Sequence, residues 1–174
     1  MGHSSFQDYF SSAELAALRL DGEISDKLLL WDEIDDWRSR SSIVLSRERH
    51  PVVLTMYSAL WAHQVMTEPT RHSASTLKGK RIREPNNPHL HIEERTLTTT
   101  DIWISGKHGV TTPLRTLIDV LKADNNESVS MGESLRLLMQ KFDLSHVLVE
   151  RTIQNMASIP HKRRALTRLA KVVI

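Results

Sequence analysis

The chain has 174 residues and a formal net charge of +2, with 40% hydrophobic and 25% charged residues. This length predicts one domain with its own core, and this composition is ordinary for a soluble globular protein. The lack of cysteine excludes disulfides, thiolate metal sites and cysteine nucleophiles. With no apolar run long enough for a membrane span and no signal-peptide pattern, we expect a cytoplasmic protein without membrane partners.

The charges are distributed unevenly along the chain. The residues before Trp37 include nine acids and two bases, whereas the remainder holds 21 bases and 12 acids. Because phosphates attract cations and repel carboxylates, any surface for nucleic acid belongs to the second part.

The N-terminal segment predicts a helix, a turn and a strand. Good helix formers cover residues 13–20, Asp21 and Gly22 end the run, and residues 27–31 form a short apolar strand. This order is typical of the end of a winged helix-turn-helix. The helix offers few of the side chains that contact base edges, so a small packing helix fits it equally well.

Short strands and helices alternate in the middle of the chain. Asp35 or Asp36 caps a helix that begins at Trp37, and a buried strand at residues 52–54 leads into a helix at 56–65. Three more strands are expected at residues 71–77, 89–95 and 101–105. The fold class predicted here is α+β, with a central, mostly antiparallel sheet of about four strands and a helical C-terminal half.

The helix that follows residue 112 organises the second part of the chain. Thr112 is a natural N-cap, Pro113 a natural first helical residue, and an apolar stripe recurs at three- and four-residue steps. Arg115 and Asp119 lie four residues apart beside this stripe. They form either a structural pair or a unit in which Asp119 holds Arg115 toward a phosphate or a partner's carboxylate.

Basic residues recur at three further places. The first place is the helix after Asp36. The second is a group of four bases around a glycine, between two predicted strands, and the third is the last helix, which has no acid after Pro160. Each group is either a solvated surface or a phosphate contact. The candidate DNA- or phosphate-binding residues are Arg40, Lys78, Lys80, Arg81, Arg83, Arg115, Lys162, Arg163, Arg164 and Arg168.

A metal-like constellation lies on one predicted strand. His89, His91 and Glu93 are two residues apart and project from one face, with His72 as a candidate fourth ligand from the neighbouring strand. The alternative, which we favour, is an exposed polar face of a half-buried sheet. No metal and no cofactor are therefore expected. His63 is interpreted as a satisfied helix histidine, since that helix offers it no partner ligand.

Several segments resemble one known family. Gly-Val-Thr-Thr-Pro-Leu-Arg-Thr-Leu-Ile-Asp, residues 109–119, resembles the G-x-x-V-T-[ST]-P-x-R-T-x-x-D segment of the AbiEi-type antitoxins, particularly small actinobacterial members. Residues 58–63, Ser-Ala-Leu-Trp-Ala-His, resemble its [LR]-S-A-x-W-x-x-G helix, with a departure at His63 and Gln64 where glycine is usual. Pro-Thr-Arg-His at 69–72 and residues 160–169 resemble its middle and its closing P-G-K-R-R-A-x-x-R-L helix.

The resemblance spans residue 12 to the C terminus and implies a function. It implies a winged-helix, DNA-binding antitoxin that represses its own operon, with its operator duplex and a cognate nucleotidyltransferase-like toxin as partners. It also implies two units, an abbreviated N-terminal winged-helix element with a linking helix at residues 1–48 and an AbiEi-like α+β domain at 49–174. The oligomeric state stays open, because Trp31 and Trp37 belong either to the core or to a dimer face.

Two other functions remain as alternatives. A protein-interaction module without DNA binding fits the acidic, shortened N-terminal segment. A metal-dependent nuclease using Glu93, Asp101 and Lys107 is a distant third. No phosphate-binding glycine loop, dinucleotide fingerprint, Gly-x-Ser-x-Gly or His-Glu-x-x-His motif occurs in the sequence, and we expect no enzyme.

Overall fold

The computed structural model describes residues 36–76, 87–123, 129–156 and 161–172, together with residues 11, 13, 14, 16 and 17. From Trp37 onward the described residues form six α-helices and five strands, which confirms the α+β class and the helical C-terminal half. The helices are α1 Trp37–Leu45, α2 Met56–Ala62, α3 Pro113–Lys122, α4 Val129–Lys141, α5 His146–Asn155 and α6 Lys162–Val172. The strands are β1 Val52–Leu54, β2 His72–Thr76, β3 Leu90–Glu94, β4 Ile102–Ser105 and β5 His108–Thr111.

Three predicted helix starts are confirmed by their capping hydrogen bonds. The Asp36 carboxylate accepts from the backbone N–H at the third position of α1, at 2.8 Å. The hydroxyls of Thr112 and Ser145 cap α3 and α5 in the same way. Each cap satisfies a backbone N–H that the first helical turn leaves unpaired.

The five strands form one mixed sheet in the order β3-β2-β1-β5-β4. The β1–β2 and β4–β5 pairs are antiparallel, whereas β1–β5 and β2–β3 are parallel. The expectation of about four mostly antiparallel strands therefore missed one strand and the two parallel pairings. The 13 residues between Thr76 and Leu90 allow a parallel return, which a tight hairpin would forbid.

The strand that the sequence did not predict is β5, which lies between β4 and α3. Gly109 conceals the strand pattern because it contributes no side chain. A Cβ at this position would lie 2.3 Å from the backbone oxygen of Trp103 on β4. Glycine is therefore required where the two backbones approach each other so closely.

Two large apolar clusters form the core. One lies among the helices and contains Leu117 and Leu121 of α3 with Leu138 of α4, Ile153 of α5 and Leu169 of α6. The apolar stripe predicted for α3 is thus buried.

The second cluster covers the sheet. Val44 and Leu45 of α1 are buried in it beside Leu54 of β1 and Val110 of β5. The linking helix, which the sequence grouped with residues 1–48, therefore packs directly on the sheet.

Part of the N-terminal element and all of the basic segment at residues 78–83 lie outside the described residues. Residues 13, 14, 16 and 17 are helical, as expected, but residues 18–35, including the predicted strand, are not described. The winged-helix element therefore stays a prediction. None of the described helices has the length and apolar character needed to cross a membrane.

Candidate functional site

An ion network surrounds Asp119 on α3. The Asp119 side chain is 1% exposed, and its carboxylate accepts from Arg115 Nε at 2.9 Å. Lys122 Nζ lies 3.5 Å and an Arg95 guanidinium nitrogen 3.9 Å from its two oxygens. Three cations thus offset the cost of removing this carboxylate from water, which is the condition for keeping a buried charge.

Arg115 also has a second carboxylate partner within the chain. One terminal nitrogen donates to Asp101 at 2.9 Å, and the other donates to the Thr96 carbonyl oxygen at 3.2 Å. Together with the bond from Nε to Asp119, these contacts use all three guanidinium nitrogens. The geometry favours the structural interpretation of the Arg115–Asp119 pair, because it ties α3 to the segment before β4.

An open cleft of about 420 Å³ lies beside this network, and we call it the Asp119 cleft. Its lining residues are Met56, Tyr57, Ser73, Glu93, Arg95, Asp119, Lys122, Ala123 and His161. Two carboxylates face two cations, together with two hydroxyl groups. This balance suits a neutral or zwitterionic polar group better than a phosphate dianion, which the carboxylates would repel.

Glu93 in the Asp119 cleft is held ionised by its neighbours. Burial raises the pKa of Glu93, but the hydrogen bond and charge of Arg95 outweigh it, so the net pKa is below its ordinary value. Arg95 donates to Glu93 at 2.8 Å. Groups held in this way bind and orient a ligand more readily than they exchange protons with it.

Two residues of the Asp119 cleft have left-handed backbone conformations. Met56, at the start of α2, has a φ of 54°, and His161, before α6, has a φ of 67°. Such conformations are unfavourable for side chains other than glycine and recur at ligand clamps. Neither was foreseen, since no sequence pattern marks a positive φ at Met or His.

Two basic side chains cap the C-terminal end of α2. Arg40 donates to the Trp61 carbonyl oxygen at 2.6 Å and lies over the ring of Trp61. Lys141 donates to the His63 carbonyl oxygen at 3.1 Å. Carbonyl groups at a helix C terminus lack intrahelical partners and carry partial negative charge, so a cation stabilises them.

Bases of the helical half act in the same way. Arg168 donates to the carbonyl oxygens of Leu121 and Ala123 at the end of α3, and Lys162 donates to those of Gln154 and Met156 at the end of α5. Thus Arg40, Arg115, Lys162 and Arg168, all expected to contact phosphate, bind groups of the protein itself.

The other candidate phosphate contacts are differently located. Arg163 is exposed on α6, and Arg164 beside it is half-buried. The exposed residues of α6 include Lys171 but no acid. Lys78, Lys80, Arg81 and Arg83 lie outside the described residues.

The metal-like strand lacks a metal-binding arrangement. His91 Nε2 lies 3.3 Å from a Glu93 oxygen, and both side chains are about half exposed. His72 is buried on β2, where its ring nitrogens lie 3.1 Å from Glu68 and 3.3 Å from the Ser58 hydroxyl. In the part of the chain that the structure describes, no group of three or more His, Asp or Glu could hold a metal ion.

Sequence reasoning missed a second, aromatic pocket, of about 200 Å³. We call it the aromatic pocket, and it is lined by Asp36, Trp37, Ala62, His63, Gln64, Trp103, Lys141 and Phe142. His63 lies here, 2% exposed, and its Nε2 donates to the Thr111 carbonyl oxygen at 2.8 Å. Its Nδ1 has no hydrogen-bond partner among the described residues, so this histidine is only half satisfied.

Burial also changes the titration of His63. Desolvation, helped by the nearby charge of Lys141, outweighs the bond to Thr111 and lowers the pKa of His63 from 6.5 to about 4. The ring is therefore neutral at physiological pH, with its proton on Nε2 and an acceptor lone pair on Nδ1.

Gln64 occupies the position where the resembling family has glycine, and its backbone explains that preference. Its φ is 62°, and its N–H donates to the Trp61 carbonyl oxygen while the Val65 N–H donates to that of Leu60. This is a Schellman motif, whose left-handed residue is usually glycine. The departure from glycine was the one sequence signal that pointed to this pocket.

Comparisons with known proteins add no further identification. No protein-family model matches the chain, and no curated protein sequence matches it significantly.

Proposed function

We propose that the protein is a regulator of the AbiEi antitoxin type, which acts by binding and not by catalysis. Its partners are the duplex of its own operator and a nucleotidyltransferase-like toxin. The proposal rests on the sequence resemblance and on the structural roles of the residues that carry this resemblance.

The residues of the resembling segment 109–119 serve the scaffold. Gly109 permits the close approach of β4 and β5, and Thr112 caps α3. Thr111 and Thr116 share a buried hydrogen bond at 2.7 Å, and Asp119 anchors the ion network. A motif whose members stabilise a fold is expected in a binding protein, because a catalytic motif would direct reactive groups toward a substrate.

The single observation that supports DNA binding is the acid-free exposed face of α6. Arg163 and Lys171 are eight residues apart on this helix, or about 12 Å along its axis, which is close to the width of a major groove. We propose that Arg163 and Arg164 contact phosphates together with the basic residues at 78–83. The proposal assigns no DNA contact to four other bases, which stabilise the fold through contacts within the protein: Arg40, Arg115, Lys162 and Arg168.

Fluorescence anisotropy with the protein's own upstream duplex and a scrambled duplex, across a salt series, tests this function. We expect preference for the upstream duplex and an affinity that falls steeply with salt. Absence of binding at low salt would overturn the proposal.

A protein-interaction module is the second candidate, and one feature favours it. Val147 and Leu148, in the first turn of α5, are 72% and 44% exposed. Adjacent exposed aliphatic side chains are typical of protein interfaces when they belong to a larger apolar patch. A nucleotidyltransferase-like protein encoded beside this chain should then bind it, and Val147→Asp should weaken that binding at least ten-fold without affecting DNA affinity.

A further inference from the structure

The sheet has two edge strands, and they differ in charge. β3 and β4 lie at the two ends of the strand order, so each has one side that no described strand pairs with. β3 carries Glu93 and Glu94 and is followed by Arg95, whereas β4, Ile-Trp-Ile-Ser, has no charged residue. Charged side chains protect an edge strand against pairing with another chain. β4 is therefore the edge that is open to a further strand.

The outer side of β4 presents the backbone groups of Ile102 and Ile104. In an antiparallel pair, residues alternate between positions bonded to the neighbouring strand and positions whose N–H and C=O point away from it. The Thr112 N–H donates to the Asp101 carbonyl oxygen at 2.8 Å, which places residue 101 among the bonded positions. The next bonded position is 103, so the backbone groups of residues 102 and 104 point outward.

A second copy of the chain fits this edge when Ile104 lies opposite Ile104. In an added antiparallel strand, an outward residue of one copy must face an outward residue of the other, because opposite residues exchange both hydrogen bonds. A two-fold axis at Ile104 meets this condition and brings Ile102 opposite Gly106 of the second copy. The same patch then serves both copies, as a two-fold dimer requires.

The side chains favour the same register. Ile104 is 54% exposed, and in this pairing it packs against its own counterpart, which removes both side chains from water. Lys107, which is exposed, lies opposite Asp101 of the second copy. The bonds from Arg115 and Thr98 to the Asp101 carboxylate all use Oδ2, so Oδ1 remains for the lysine. Opposite charges across the pair distinguish this register from its neighbours.

We propose that two copies of the chain associate by antiparallel pairing of their β4 strands about a two-fold axis at Ile104. This pairing joins two five-stranded sheets into one continuous sheet. The paired segment is short, so we expect a reversible dimer whose population rises with protein concentration. The inference is independent of DNA binding.

Sedimentation velocity of the full chain over a concentration series tests the dimer. Ile104→Lys should weaken self-association by at least about ten-fold, because it places two like charges directly opposite each other. Leu137→Lys is the matched control, since Leu137 lies on α4 and is 45% exposed. It should leave self-association unchanged.

A single introduced thiol tests the register, because the chain has no cysteine. A short bis-maleimide should join two copies of Ile104→Cys, since opposite residues of a hydrogen-bonded pair have Cα atoms about 5.5 Å apart. Leu137→Cys should react without joining copies. A monomer at every concentration would overturn the proposal. A dimer that persists in Ile104→Lys, or that is joined equally through both cysteine variants, would overturn it as well.

Discussion

The guanidinium of Arg168 on α6 donates to the carbonyl oxygen of Leu121 on α3, at 3.2 Å. This contact joins two helices that are far apart in the sequence and satisfies a carbonyl at the end of α3. Lys162 and Lys141 bind carbonyl oxygens at the ends of α5 and α2 in the same manner. Part of the positive charge of the second part of the chain is therefore used inside the fold.

The Arg168 contacts predict a loss of stability on substitution. Arg168→Gln should lower the free energy of unfolding by about 1–2 kcal/mol, because charged hydrogen bonds to helix-end carbonyls are lost. Arg163→Gln, an exposed change on the same helix, should alter it by less than about 0.5 kcal/mol. Urea denaturation measures both, and equal effects would contradict the capping role.

Asp119 predicts a larger effect. Asp119→Asn should destabilise the fold by about 3 kcal/mol, because it removes the charge that three cations share in a buried setting. Glu150→Gln is a suitable control, since the His146–Glu150 pair is long, at 3.7 Å, and half-exposed, and its loss should cost less than about 0.5 kcal/mol. A mild effect of Asp119→Asn in the same denaturation assay would mean that the network is not a structural anchor.

Much of this architecture could be predicted from local sequence. Thr112, Pro113 and Ser145 predict where their helices begin, because helix capping depends on neighbouring residues alone. The apolar stripe of α3 likewise predicted its buried face. Strand β5 could not be predicted, because Gly109 is required by the backbone of Trp103, a contact across strands that sequence patterns do not record.

Gln64 predicts a stabilising substitution. Gln64→Gly should raise the free energy of unfolding by about 0.5–1 kcal/mol, since glycine adopts the left-handed conformation without strain. Both variants lose the side-chain contact to Lys141, but Gln64→Ala also keeps the strain, so it should not stabilise. Thermal unfolding of the two variants compares them directly, and a gain for alanine equal to that for glycine would contradict the explanation.

His63 predicts a pH dependence of stability. Its pKa is about 4 when folded and 6.5 when unfolded, so between these values the unfolded chain binds more protons. The contribution of His63 to the free energy of unfolding is therefore fully present above pH 6.5. It is lost as the pH falls toward 4, which lowers the free energy of unfolding by about 3 kcal/mol.

Urea denaturation at several pH values, compared with His63→Phe, isolates this contribution. The variant should lose less stability than the unmodified protein between pH 6.5 and 4. Parallel pH curves would contradict the assignment to His63.

The candidate sites were less predictable than the fold. The sequence showed that Arg115 and Asp119 could pair, but it could not show that Asp101 would complete the contacts of Arg115 from before β4. Arg40 and Arg168 look like surface cations in the sequence, since nothing local reveals a carbonyl oxygen contributed by another helix. Long-range hydrogen bonds decide which cations face outward.

The most direct test of the central claim compares the unmodified protein with Arg163→Gln/Arg164→Gln, using anisotropy with the upstream duplex across a salt series. We predict sequence-preferring binding whose slope of log affinity against log salt decreases by about 0.9 for each phosphate contact removed. Unchanged affinity and slope in the double variant would contradict a DNA contact at α6, and no binding by the unmodified protein would contradict the DNA-binding function itself.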